Sequence, residues 1–308
     1  MKVSFLICSN RAPATLDALF DSIVGQGPLD GCEVVFVDNG IASGGADEVR
    51  ARLKTLPCET SYLTEPTPGI WAARKTSYEN ARGEWLFILD DDNRLGEGAL
   101  AAFFEFAKDH PEVGGICPRI LADWEVEPPD WLKLFGRLYC LSYTESGRFG
   151  PGIGETVWPP GAAGVLSPPG GGMVIRREVV TAFLASDADI PGGLRVSRLG
   201  GEDHAVYSLT GGLGLSTAYV PSILVYHYLP RGREEIRYLA RLNLRMAYAY
   251  GLLAHRARLG AFDVLRISTG FAVSNLASPP YHPWAMLLKS IRAAGYAAGL
   301  IKGMAGGK

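Results

Sequence analysis

The 308-residue chain is 47% hydrophobic and 20% charged, enough apolar material for one large α/β domain with an appendage or for two modest domains. Its formal net charge of -2 excludes nucleic acid as a global partner. The five cysteines (Cys8, Cys32, Cys58, Cys117, Cys140) are scattered, odd in number and form no C-x-x-C pair, which excludes a disulfide framework and a zinc knuckle and points to a reducing, cytoplasmic setting.

The apolar run Lys2 to Cys8 is too short for a secretion signal and is followed at once by Asn10 and Arg11, so it reads as a buried first strand. Leu16, Leu19, Phe20, Ile23 and Val24 then recur at helical spacing, with Thr15 as the expected N-cap. EVVFV (Glu33 to Val37) is a second strand and ends in the turn-forming triplet Asp38-Asn39-Gly40. A helix over 47–54, a strand over 60–63, a helix over 69–82 and the strand EWLFIL (Glu84 to Leu89) continue the alternation. Such a succession predicts a mostly parallel sheet with right-handed crossovers, and ligands bind such sheets beyond the carboxyl ends of the strands. Asp38 and Asp90 both fall there. A helix over 97–110 and a strand over 113–117 follow. Residues 122–172, rich in Pro, Gly and Trp, read as a long functional loop. Strand 173–175, helix 177–184, a helix opening at Gly201 and a strand over 216–226 lead to an all-helical stretch from Glu234. No stretch there is apolar enough to span a bilayer, being broken by Asp263, Arg266, Lys289 and Arg292.

Three adjacent carboxylates, Asp90-Asp91-Asp92, repel one another unless a cation neutralises them. At a strand end Asp90 and Asp92 share a side and Asp91 faces away. Their oxygens suit Mg²⁺ or Mn²⁺, which can bridge a diphosphate. A solvated acidic turn is the plainer alternative; the buried strand before it favours a metal site. Glu202-Asp203 at a helix start is either a cap or a general base with its neighbour, and the glycines at 192–193 and 200–201 would give access to a substrate. His227 closes the late strand, where an imidazole can complete a metal shell or contact phosphate together with Arg231 and Arg233. The other histidines (His110, His204, His255, His282) have no evident partners and are expected on surfaces. Ser9, Asn10 and Arg11 follow the first strand where a nucleotide would sit, and neither G-x-G-x-x-G nor a phosphate loop is suitably placed.

Taken in order, VSFLICSNR, VVFVDNG, EPTPGIWAARK, GEWLFILDDDN, GGGMVIRRE, GGEDHAVY and VYHYLPRGR resemble the family 2 glycosyltransferases, and ICPRILADWEVEPPDWL resembles members that build bacterial polysaccharides. The resemblance runs from about Val3 to Gly251. It implies a GT-A fold: a Rossmann-like, mixed and mostly parallel sheet flanked by helices. A catalytic domain would occupy 1–230 (nucleotide-binding half 1–117, acceptor half 118–230), with a helical extension over 231–308. It further implies an inverting transfer from a UDP-, GDP- or dTDP-linked sugar to a glycan, lipid-linked or small-molecule acceptor. Asp38, Arg74 and Ser9 to Arg11 would serve the nucleotide, Asp90 and Asp91 the ribose and diphosphate, Asp92 with Asp90 and His227 the metal (Mn²⁺ or Mg²⁺), Asp203 proton removal, and Glu202 acceptor orientation. A nucleotidyltransferase would need a Gly-rich basic loop where Ser9-Asn10-Arg11-Ala12-Pro13 stands. A non-catalytic sugar-binding protein would not need the intact carboxylates, and a structural Ca²⁺ site would ignore nucleotide. The basic and apolar alternation over 237–302 reads by default as ordinary helical packing or a homodimer interface; the Arg-rich faces, with the lipid-linked acceptors that the resemblance implies, add peripheral membrane contact at the inner face of the membrane as a further role.

Overall fold

The computed structural model describes residues 2–11, 15–41, 43–133, 154–162, 170–186, 202–254 and 283–305. Cys140, His255, His282 and the glycines at 192–193 and 200–201 lie outside them. The chain divides into two compact units: 1–123 with 140–189 and 202–229, and 124–139 with 190–201 and 230–308.

The first unit is built on a nine-stranded sheet. Strands β1 (Val3–Ser9), β2 (Cys32–Asp38), β3 (Glu59–Thr64) and β4 (Trp85–Asp90) alternate with helices α1 (Thr15–Val24), α2 (Ser43–Leu53) and α3 (Ile70–Asn80). Then follow β5 (Asn93–Leu95), α4 (Ala99–Asp109), β6 (Val113–Trp124), β7 (Thr156–Trp158), β8 (Met173–Arg176), α6 (Arg177–Ala185), α7 (Glu202–Gly212) and β9 (Ser216–Leu229). The short α5 (Asp130–Lys133) belongs to the second unit, with α8 (Ile236–Ala254) and α9 (Pro283–Ala305). The sheet order is β3-β2-β1-β4-β8-β6-β9-β5, with β7 pairing on β9. The pairs β3/β2, β2/β1 and β1/β4 are parallel, while β8, β5 and β7 pair antiparallel to their neighbours. The sheet is therefore mixed, and its parallel part is the one the strand-helix alternation predicts.

Strands β1, β2 and β4 are near-continuous apolar runs because both faces are covered, whereas β3 at the sheet edge is polar and partly exposed. Val3, Phe5, Ile7, Val34, Phe36, Trp85 and Phe87 pack with Leu19, Phe20, Ile23, Leu100 and Phe103 of α1 and α4. Phe87 lies between the Phe5 and Phe103 rings at 5.5 and 4.9 Å. Alternate residues (Leu6, Val35, Leu86, Ile88) are equally buried on the opposite face. Strands β5 and β7 escaped the sequence reading because three residues carry too little periodicity to register. Thr15 also departs from expectation. It is the first helical residue, and its hydroxyl donates to the Asp91 carbonyl (2.7 Å), tying α1 to the acidic turn. His110, expected without partners, bonds Glu112 (3.1 Å) and stacks on Phe106.

A buried polar knot closes the amino-terminal edge of the strands. Glu33 Oε1 accepts from Ser4 (2.6 Å) and from the Arg82 amide (2.7 Å), and Oε2 accepts from the Arg82 guanidinium (2.7 Å). Burial alone would raise the Glu33 pKa, but these bonds outweigh it and hold the carboxyl below its ordinary 4.5. A depressed pKa stabilises the fold above the unfolded-state value, and that contribution is lost as pH falls through the folded value. Glu33→Gln is expected to cost about 2–3 kcal/mol at pH 7, because Ser4 and the Arg82 amide lose an ionised acceptor. Thermal melts from neutral to acid pH should show the variant losing less stability below the unfolded pKa than the parent.

Candidate active site

The carboxyl ends of β1, β2 and β4 meet at one edge of the sheet, and the turn Asp90–Asn93 stands at its centre. Asn93 holds the turn closed: its side-chain oxygen accepts from the Asp90 amide (2.9 Å). The three carboxylates go to three different elements. Asp90 bonds the buried guanidinium of Arg74 on α3 (3.1 Å). Asp91 accepts a short hydrogen bond from Ser9 at the end of β1 and lies 3.4 Å from Arg11. Asp92 lies 3.4 Å from His227 Nε2 on β9, and its carbonyl accepts from the Tyr228 amide (2.8 Å). β4 ends at Asp90, so the turn and not strand alternation directs Asp91 toward β1. Each carboxylate meets a cation or an imidazole, which offsets their mutual repulsion. Loss of hydration at the base of the turn raises the Asp90 pKa, Arg74 and His227 oppose this, and Asp92 and Asp91 add to it.

The pairing of β5 with β9 puts His227 beside the turn, since Asn93 and His227 are directly opposed. That juxtaposition has no sequence signal, because β5 is only three residues long. Ser9 and Arg11, expected at the nucleotide, anchor Asp91; Asn10 is exposed. Asp38 is 6% exposed and closes a turn: one oxygen accepts from the Gly40 (2.9 Å) and Ile41 (2.7 Å) amides, the other from the Tyr62 hydroxyl (2.6 Å). Burial acts to raise its pKa, but those bonds hold it down. Asn39 donates to the Glu65 and Thr67 carbonyls (2.9 and 2.7 Å) and accepts from the Gly69 amide (2.9 Å), so it knits the loop ahead of α3. Beneath the turn the Cys8 thiol is pushed up to about 12 by burial, which leaves it unreactive.

Two glycines that the sequence reading passed over complete the site. Gly170 and Gly171 run against Arg74 and Asp90. A Cβ on Gly170 would overlap the Arg74 guanidinium, 2.6 Å from its Cζ, and one on Gly171 would lie 2.7 Å from the Asp90 Cγ and 2.9 Å from the Asn93 Oδ1. The run GGG before a strand was the available signal: three successive residues without Cβ mark a close backbone approach. Asp203 stands at the start of α7, its carboxylate accepting from the His204 amide (2.9 Å), with Glu202 just before it as the first residue of the helix. His204, with Tyr207 and Ser208 farther along that helix, lines a cavity of about 340 Å³ closed by Pro159, Pro160 and Thr217.

Among the described residues, no three His, Cys, Asp or Glu side chains form a ready-made metal site. Mg²⁺ and Mn²⁺ suit hard oxygen donors, and Mg²⁺ takes one or two carboxylates, completing its shell with water and substrate phosphates. Asp92, with His227 beside it, offers that much.

Comparison with solved structures places this architecture in a known class. S. aureus TarS 1-349 in complex with UDP matches 99% of the chain and 92% of its own length at a TM-score of 0.52 and 13% identity. GalNAc-T7 with UDP, GalNAc and Mn2+ matches 99% of the chain and 56% of its own length at 0.56 and 15% identity. The fold is therefore that of the GT-A glycosyltransferases. At the level of sequence, the succinoglycan biosynthesis protein ExoM of Rhizobium meliloti (strain 1021) is 23% identical over 257 residues, 82% of this chain and 75% of that one. The cholesterol galactosyltransferase of Borreliella burgdorferi (strain ATCC 35210 / DSM 4680 / CIP 102532 / B31) is 26% identical over 117 residues, 38% of this chain and 32% of its own. The family model for glycosyl transferase family 2 matches residues 4–182, more than half of the chain. The chain belongs to that family and is a glycosyltransferase.

Proposed function

We propose that the enzyme transfers a sugar from a nucleoside-diphosphate donor to an acceptor hydroxyl in one inverting displacement. The observation that carries this reading is the turn Asp90–Asn93, which holds three carboxylates at the carboxyl ends of the parallel strands with Arg74 and His227 as counter-groups. The nucleoside lies over the ends of β1 and β2, where Asp38 and Asn39 shape the floor. Arg74 keeps Asp90 aimed at the ribose and diphosphate, and Asp91 fixes the turn to β1. Asp92, with Asp90 and His227, would hold Mn²⁺ or Mg²⁺, which would supply electrostatic stabilisation to the departing diphosphate. Asp203 removes the acceptor proton, and Glu202 orients the acceptor. Two GT-A neighbours solved with UDP favour a uridine donor, and the likeness to a succinoglycan biosynthesis protein favours a growing polysaccharide as acceptor. The organisation adopted here is a catalytic domain over 1–230 and a helical extension over 231–308.

The test is a thermal-shift titration with UDP, GDP, dTDP and CMP, with and without Mn²⁺. A ligand that binds the native state alone raises the apparent Tm with its concentration. One diphosphate is expected to stabilise the protein only with metal, and Asp92→Asn is expected to lose that effect. No stabilisation by any nucleotide would move a non-catalytic sugar-binding reading to the front.

A further inference from the structure

Strand β3 is a polar edge, Glu-Thr-Ser-Tyr-Leu-Thr with both ends exposed, yet it carries one aromatic side chain at a defined point. Tyr62 lies opposite Phe36 of β2 in the parallel register, and Thr64 lies opposite Asp38. The Tyr62 ring stacks on Phe36 at 5.5 Å and 24°, and the Arg50 guanidinium of α2 lies over the ring, 4.1 Å from its centroid. Phe36 is fully buried in the core, so this support is rigid. Held by β2 and α2 together, the phenol leans along the strands and donates to Asp38 Oδ2 at 2.6 Å. The main chain at that point is tied into the sheet on both sides: the Asn39 amide donates to the Ser9 carbonyl and the Glu65 amide to the Asp38 carbonyl, each at 2.8 Å.

The acceptor sites of Asp38 can be counted. An ionised carboxylate offers about four. The Gly40 and Ile41 amides occupy one oxygen, and Tyr62 takes one site on the other. A single site on Oδ2 remains. Asn39 beside it uses both side-chain N–H groups on the Glu65 and Thr67 carbonyls, so recognition of a base at this floor falls to Asp38.

We propose that Tyr62 is a positioning residue for donor recognition: it sets the second Asp38 oxygen so that the one open acceptor site meets an N–H of the donor's nucleobase. The proposal rests on the reading that Asp38 serves the nucleotide. Without the phenol, Oδ2 has two open sites and the carboxylate loses the anchor that fixes its plane. The hydroxyl therefore acts on the affinity for the nucleoside, through Asp38, and touches neither the acidic turn nor Asp203.

The test is calorimetric titration of the full chain with UDP and Mn²⁺, with GDP or dTDP in its place should the parent bind one of those instead. Tyr62→Phe keeps the stack on Phe36 and removes only the hydroxyl, and it is expected to weaken the nucleotide about tenfold. Asp38→Asn keeps an oxygen for the Gly40 and Ile41 amides, but its nitrogen cannot accept from Tyr62. It should weaken the nucleotide as well, and adding Tyr62→Phe to it should change nothing further, because residues that act through one contact are not additive. Thermal melts would confirm that the variants fold, with Asp38→Ser replacing a misfolded Asp38→Asn. Equal affinity in the parent and Tyr62→Phe, or a second tenfold loss in the double variant, would overturn the proposal and leave the donor reading standing. A parent that binds none of the three diphosphates would overturn both.

Discussion

Gly171→Ala is expected to lower turnover about a hundredfold or more while the chain remains folded. The added methyl would overlap the Asp90 carboxylate and lie 2.9 Å from the Asn93 oxygen that closes the turn. Asn93 is buried and the partly exposed Asp90 is held by Arg74, so one of these contacts must give. Asp90 can move only by leaving Arg74, and Asn93 only by releasing the Asp90 amide. Displacement by an ångström within a catalytic constellation costs about 10²-fold, and overpacking adds a stability cost of about 1–3 kcal/mol. Steady-state kinetics beside a thermal melt would separate the two effects. Gly154→Ala is the control, because a Cβ there meets nothing within 4 Å and its backbone is unstrained. If Gly171→Ala kept full turnover, Asp90 would have no need of its observed position.

Asp203→Asn is expected to lower kcat by about 10²–10⁴, the range for loss of a general base. It should leave the nucleotide-dependent thermal shift intact, since Asp203 lies in the first turn of α7 and the acidic turn follows β4. The discriminating measurement is the pair: turnover lost with donor binding kept. The amide could still accept from the His204 amide, so the local helix start survives and a fall in turnover reports chemistry. Loss of both readouts would make Asp203 a residue of the donor site, and loss of neither would return it to a helix cap.

The parallel half of the sheet was legible because β1, β2 and β4 are apolar on both faces and α1 buries a regularly spaced stripe, two patterns that read directly from spacing. The acidic turn was legible because three adjacent carboxylates after a buried strand are costly without a function. Pairing was not. That Asp91 is held by Ser9 and Arg11, or that Asp92 meets His227, depends on which strands lie side by side, and β5 gave no periodicity to reveal its partner. Asp38 was readable as a strand-end carboxylate but not as one whose oxygens are occupied by Gly40, Ile41 and Tyr62. Asn39 shows the same gap. An aspartate at 39 would set a carboxylate against the Glu65 and Thr67 carbonyls, so the amide follows from a loop that sequence spacing does not show.

The three tethers of the acidic turn also order its assembly in time. Ser9 and Asp91 are 82 positions apart, and His227 enters the chain far later than Asp92. Loop closure over such separations is slow compared with local pairing. On a ribosome, β1 to β4 can form their parallel core while β9 is still unmade. The side of the turn that faces Asp92 therefore closes only once nearly the whole first unit has been synthesised, so the half-grown chain carries its carboxylates without the imidazole that completes their surroundings.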